Sequence, residues 1–352
     1  VDLEGKFNDL PEGIESSDVK ELRQALMRVQ QQLLQAKQRT NELVEVTHQA
    51  AHDAVLAMGP ILPVKPREAV KSKKRAEVAL WHLTDWQGAK KTPSYNSQVM
   101  HQRVMSFAEK AVSITDIMRA DHPVNDCVIM FGGDMIEGLF NFPGQAFEID
   151  ATLFEQYVTV SKLIVDVVRY ALTNYNKVTV VPEWGNHGRI GSKRDNVPRS
   201  DNFDRMCYEL ARQLLAQEKR LTWQECPEDI QRVHIPDPTG KGPGYRALLI
   251  HGDEVGRNGF ASPGAIVQHV ARWQSGSYPW EFRDVFVGHY HTHNEWALPN
   301  GLGSVYQTGS TESDNRYAGV MLAASATPSQ RLHFVDPVKG RTTASYKVWL
   351  DK

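Results

Sequence analysis

Residues 126–134 read DCVIMFGGD, an unbroken apolar run that stops on two glycines and a carboxylate. A run this short, apolar on both faces, suits a strand buried between two layers; a half-exposed strand would alternate. VALWHLTD at 78–85 and KVTVVPEWGN at 177–186 repeat the pattern, the first again ending in an acid. Between these runs, 96–119 and 150–175 carry helical apolar spacing, and 202–220 predicts a third helix. Downstream the chain is richer in strands: LTWQEC, RALLIHGDE, RDVFVGHYH, NEWALP, SVYQTGS, QRLHFVD and TASYKVWL, with a helix over 263–273. Strand–helix–strand units followed by antiparallel strands predict an α/β fold of two facing sheets covered by helices.

The N-terminal part is different in kind. Residues 16–58 contain no Gly or Pro, and Ser17 with Asp18 suits a helix start. Val19, Leu22, Leu26, Val29, Leu33, Ala36, Leu43, Ala50 and Ala54 follow heptad-like spacing, interrupted by Thr40 and Thr47. The segment is read as one long helix whose narrow stripe forms a coiled-coil homo-oligomer, with packing onto its own domain as the alternative. Residues 1–15 are a polar tail, 59–76 a Pro- and Lys-rich linker, and 77–352 the main domain. A net charge of −2 argues against a general polyanion binder. Cys127, Cys207 and Cys226 share no CxxC spacing, which fits a reducing compartment. With no bilayer-length apolar run and an acidic, polar start, the expectation is a cytoplasmic protein without membrane association.

Five short motifs fall at or just beyond strand ends: Asp85-Trp86-Gln87, Gly132-Gly133-Asp134, Gly185-Asn186-His187, His251-Gly252-Asp253 and Gly288-His289-Tyr290-His291. Each alone is a turn, a cap or a core histidine. Together they bring carboxylates, an amide and imidazoles to one sheet edge, the donor set of a divalent-metal pair. The set resembles the calcineurin-like metallophosphoesterase superfamily, whose signature runs D-x-H, G-D, G-N-H, H, G-H-x-H. The resemblance implies a two-sheet αββα sandwich, here preceded by the long N-terminal helix. It also implies two metals, with Asp85 and His291 on the first, Asp134 bridging, and Asn186, His251 and His289 on the second. Mn²⁺ is the first choice, with Fe, Zn, Mg or Ni as alternatives. His187 would face the substrate phosphate as the catalytic residue, while metal-activated hydroxide attacks phosphorus. Gln87 stands where the signature has histidine. Either its carbonyl serves as a weaker, harder ligand, or it points away and water takes the position.

After the third motif the chain continues Gly188-Arg189-Ile190-Gly191-Ser192-Lys193-Arg194, followed by Arg199. Arg189, Lys193 and Arg194 are candidate phosphate contacts, with Lys90 and Lys91 as further support. A solvated loop balanced by Asp195 and Asp201 is the alternative. The expected function is hydrolysis of phosphodiester bonds in nucleic acid, DNA or RNA, or in nucleotides. The alternatives are a phosphomonoesterase (nucleotide or protein phosphatase) and a non-catalytic coiled-coil scaffold. Resemblance to double-strand-break-repair nucleases is partial. That branch has an acid after Gly-Asn-His, where this chain has Gly188 and Arg189, and no helical arms follow the motifs here.

Overall fold

A computed structural model describes residues 61–139, 145–190, 198–228, 230–255, 261–299, 301, 303–314 and 327–351, with residue 59 and a scatter between 42 and 57. The chain divides into two compact units, Val1–Asp53 and Ala54–Lys352. In the first, the described residues are helical, and Gln49 Nε2 donates to Asp53 Oδ1 at 2.9 Å. The expected heptad positions from Val19 to Leu43 lie outside the described residues.

The second unit runs β1 (Val78–Leu83), α1 (Ser97–Arg119), β2 (Asp126–Gly132), α2 (Leu153–Asn174), β3 (Lys177–Glu183), α3 (Phe203–Leu214), β4 (Leu221–Trp223), β5 (Gln231–Ile235), β6 (Tyr245–Ile250), α4 (Pro263–Arg272), β7 (Asp284–Val287), β8 (Asn294–Ala297), β9 (Ser304–Gln307), β10 (Ser329–Asp336) and β11 (Arg341–Trp349). One sheet has the order β11-β10-β1-β2-β3-β4, the other β5-β6-β7-β9-β8. β1 to β4 are mutually parallel, as are β6, β7 and β9. The antiparallel strands lie at the outer positions.

Burial explains the layering. Leu80, Val128, Met130 and Val181 of the first sheet pack against Val233, Ala247, Leu249 and Phe286 of the second. On the first sheet's other face, Trp81 meets Phe107 of α1 edge-on, ring centroids 5.6 Å apart. Leu248, Ile250, Val285 and Val287 turn the other way, onto Ile266 and Val270 of α4. Helix, sheet, sheet and helix therefore stack as four layers. Asn96 caps α1, and Thr152 caps α2 in a reciprocal box with Glu155.

Three local expectations are corrected. β5 was not among the expected strands; its alternate residues are exposed, and Arg232 and His234 mask the apolar signal. The third helix stops at Leu214, six residues short of the expected 220, because the chain turns through Glu218 and Arg220 toward β4. The linker is not a free tether over 64–70. Val64 N donates to Glu218 Oε2 (3.3 Å), Arg67 N to Thr173 O (3.0 Å) and Val70 N to Asn125 Oδ1 (2.9 Å). Among the described residues no helix is long and apolar enough to cross a membrane.

Two imidazoles lie inside the sandwich. His82 and His333 face each other across 6.4 Å, packed on Phe286, and no described group pairs with any of their ring nitrogens. Burial, then the nearby Arg331 guanidinium, pushes His82 down to about 3 and His333 well below its ordinary range. Both are therefore neutral when folded, whereas the unfolded imidazoles titrate near 6.5. Below that pH the unfolded chain takes up protons that the folded chain does not. The contribution is thus fully present above about pH 6.5 and is lost as pH falls toward 3. Each imidazole should remove about 2 kcal/mol between pH 7 and pH 5. Urea unfolding of the metal-free protein at those two pH values, compared with His82→Leu, checks this: the variant's loss should be smaller by that amount.

Candidate metal centre

The parallel strands β1, β2, β3, β6 and β7 deliver all five motifs from their carboxyl ends. Leaving a strand so sharply needs unusual backbone. Asp85, Gln87, Asp134, His289 and His291 all have φ between 49° and 65°, in the left-handed region that non-glycine residues avoid. Interlocking main-chain bonds hold the first two turns: Asp85 N donates to Gly133 O (2.9 Å) and Gln87 N to Asp134 O (3.0 Å). A Cβ at Gly185 would fall 2.0 Å from Asp134 Oδ1, and one at Gly288 2.6 Å from Asp85 Oδ2, so both motif glycines allow a close approach.

The side chains then converge. His251 Nε2 lies 3.0 Å from Asp134 Oδ2 and 3.1 Å from Asn186 Oδ1. Donor atoms of Asp134, His251 and His289 lie within 4.8 Å of one another. On the other side, His291 Nε2 is 3.2 Å from Asp85 Oδ1, and both Asp85 oxygens accept from His289 N. Gln87 points inward: its Nε2 is 3.4 Å from Asp134 Oδ2 and 3.4 Å from His291 Nε2, while its buried Oε1 has no partner. A half-turn of the amide would exchange the two ends and aim the carbonyl at the carboxylate and imidazole.

Hydrogen bonding sets the fit to a cation. His251 Nδ1 is 2.8 Å from the Gly132 carbonyl, which can only accept, so Nδ1 carries the hydrogen. Nε2 of the neutral ring then presents a lone pair to a carboxylate oxygen and an amide oxygen. His291 repeats this: Nδ1 pairs with Glu312 Oε1 at 2.6 Å, and Nε2 faces Asp85. Acceptors converging on acceptors need a proton or a metal between them. Metal-free, a proton serves. Burial would lower His251 and His291, but Asp134 for the first, and Glu312 with Asp85 for the second, raise them well above the usual range. Burial would likewise raise Asp134, yet His251 and His187 bring it down. The residues present therefore fit divalent cations, with Asp134 shared between the two groups.

His187 stands at the rim. Its backbone N donates to Asp134 Oδ1 (2.7 Å), and Nδ1 contacts Glu137 O (3.0 Å) and Glu137 Oε2 (3.3 Å). Burial opposes protonation, but Asp134 and Glu137 raise the ring to about 9. These two carboxylates favour the imidazolium, and Nε2 lies 3.9 Å from Asp134 Oδ2.

Some expectations are redistributed. Lys90 is not a substrate contact: it is buried, with Nζ 3.1 Å from Glu137 and 2.9 Å from Glu148. Arg189 pairs with Asp253 (3.1 Å), and Arg199 with Glu183 (3.1 Å) and Glu254. Lys193 and Arg194 lie outside the described residues. Trp86 and Trp184, next to motif residues, are both buried. Glu254 accepts from His251 N and Gly252 N, closing the turn after β6.

Three acids were missed. Glu312 orients His291 and follows β9, so the acid-after-strand pattern could have found it. Glu137, three residues after Asp134, holds His187. Asp204, in the first turn of α3, accepts from the backbone N of Asp134 (2.8 Å), Met135 (3.0 Å) and Gly185 (2.9 Å). Nothing in its helical context signals that role.

No protein-family model matches this sequence, and no curated protein does. Among solved structures it is similar to zinc-complexed Vps29 from Entamoeba histolytica (11% identity, 78% of this chain and 99% of that one, TM-score 0.33). It is also similar to vacuolar protein sorting 29 from Cryptosporidium parvum (15%, 78% and 98%, 0.34). A third is phosphopantetheinyl hydrolase from Mycobacterium tuberculosis (13%, 68% and 92%, 0.30). Likenesses this remote carry nothing about chemistry, which rests on the side chains above.

Proposed function

We propose that this protein is a metal-dependent phosphoesterase that hydrolyses phosphodiester bonds in nucleic acid or nucleotides. The carrying observation is the convergence of His251 Nε2, Asp134 Oδ2 and Asn186 Oδ1, acceptors that a proton or a metal cation must join, with the His187 imidazole beside Asp134. Asp85, His291 and Gln87 would hold one divalent cation, Asn186, His251 and His289 the other, with Asp134 shared. When bound, such a pair supplies Lewis acidity toward phosphoryl oxygens and lowers the pKa of attacking water. The chain's own groups do the rest. Glu312 and the Gly132 carbonyl fix the ring orientations of His291 and His251. Asp134 and then Glu137 favour the charged ring of His187, whose Nε2–H would bond a phosphoryl oxygen and pass a proton to the leaving oxygen.

Mn²⁺-dependent cleavage of end-labelled single- and double-stranded DNA tests this directly. His187→Ala should keep its metal content while kcat falls about 10²–10⁴-fold. Loss of metal in that variant would overturn the role given to His187. Monoester hydrolysis without diester cleavage would favour the second reading, a phosphomonoesterase. One observation supports that reading: Arg189 and Arg199 are both already paired with carboxylates. Self-assembly through the heptad stripe is a separate proposal, resting on sequence.

A further inference from the structure

The turn at 145–147 is held beside the centre and carries an aromatic ring into solvent. Residues Gln145–Phe147 form a single 3₁₀ turn. Its first residue faces the centre: Gln145 is buried, with Nε2 2.6 Å from Glu137 O and 3.5 Å from His187 Nδ1. The far side is fastened too. Glu148 N donates to Gln145 O (3.0 Å), Lys91 N to Glu148 O (2.8 Å) and Asp150 N to Ala89 O (3.0 Å), and the Glu148 carboxylate holds Lys90. Between these fastenings Phe147 is 91% exposed, the most exposed large apolar side chain among the described residues.

A single ring offers less area than a protein or a membrane needs to dock on. Its Cα lies two residues from Gln145, hence no more than about 7 Å away. Lys91, bonded through its backbone to the same turn, is an exposed cation. An ordered ring and a cation beside a phosphoester centre match what single-stranded nucleic acid and nucleotides recognise: stacking for the base, charge for the backbone. We propose that Phe147 is a stacking platform for the nucleobase next to the scissile phosphate. This rests on the phosphodiesterase reading for its chemistry, but base stacking has its own readout.

Fluorescence anisotropy of a short labelled oligothymidylate on metal-free protein supplies that readout. Phe147→Ala should weaken binding about 5- to 100-fold, and Phe147→Trp should retain it. The replaced ring is exposed, so folding should be unaffected. With Mn²⁺, Phe147→Ala should raise KM for thymidine 5′-(p-nitrophenyl phosphate) by a similar factor. It should leave methyl p-nitrophenyl phosphate, which lacks a base, within about twofold. Equal binding by wild type and Phe147→Ala, or equal changes on both esters, would overturn the proposal. Ring-dependent binding without ester cleavage would sink the phosphodiesterase reading and leave the platform standing.

Discussion

Asp134→Asn should abolish hydrolysis and Mn²⁺ binding together, turnover falling by about 10³-fold or more. The carboxylate is where the two ligand groups meet: Oδ2 faces His251 and Gln87, and Oδ1 accepts from His187 N. Asparagine keeps one oxygen for His187 and nearly the same volume, so the turn should survive. What disappears is the negative charge between the two proposed cation positions, and with it the screening of their mutual repulsion. Changing the partner of a ligand typically costs 10- to 100-fold in affinity, so removing the shared ligand should exceed about 100-fold. Two measurements separate this from misfolding. Circular dichroism should be unchanged, and Mn²⁺ should raise the wild-type melting temperature but not the variant's. Residual activity within tenfold of wild type would sink the assignment of Asp134 as shared ligand.

The centre was legible where chemistry sits on the strand-end motif itself. Asp85, Asp134, Asn186, His251, His289 and His291 each follow a buried apolar run, and the runs are what make the edge. Gln87 was legible as an exception, and its inward placement comes only with coordinates. Supporting groups are harder to read because their roles depend on approach in space. Lys90 has the composition of a phosphate contact, yet it is buried against Glu137 and Glu148. Arg189 and Arg199 look like a basic loop until Asp253, Glu183 and Glu254 arrive from other segments. β5 escaped because an edge strand with Arg232 and His234 on its outer positions lacks the apolar run that marks the central strands.

Asp204 shows how far a site depends on residues that no motif contains, and it carries the second large expected effect. Its carboxylate takes four main-chain N–H groups from two different turns, after β2 and after β3. Those turns carry Asp134, Asn186 and His187. The bonds come at a cost: burial, then the charge of Asp134, pushes Asp204 up to about 6. That shift of roughly two units is about 3 kcal/mol of disfavoured ionisation. Asp204→Ala relieves it but leaves four buried donors without their acceptor, at about 1–3 kcal/mol each. The donors outweigh the relief, so a net loss of about 1–9 kcal/mol is expected, on the order of 10 °C in melting temperature. Asp204→Asn should be no rescue, since its amide N–H₂ would meet N–H donors on one side. Both variants should also bind Mn²⁺ more weakly, because the turns presenting Asp134 and Asn186 lose their common anchor. Thermal unfolding and metal titration of the two variants check this. An unchanged melting temperature in Asp204→Ala would mean that the left-handed turn at Asp134 and the turn at Gly185 hold their places unaided.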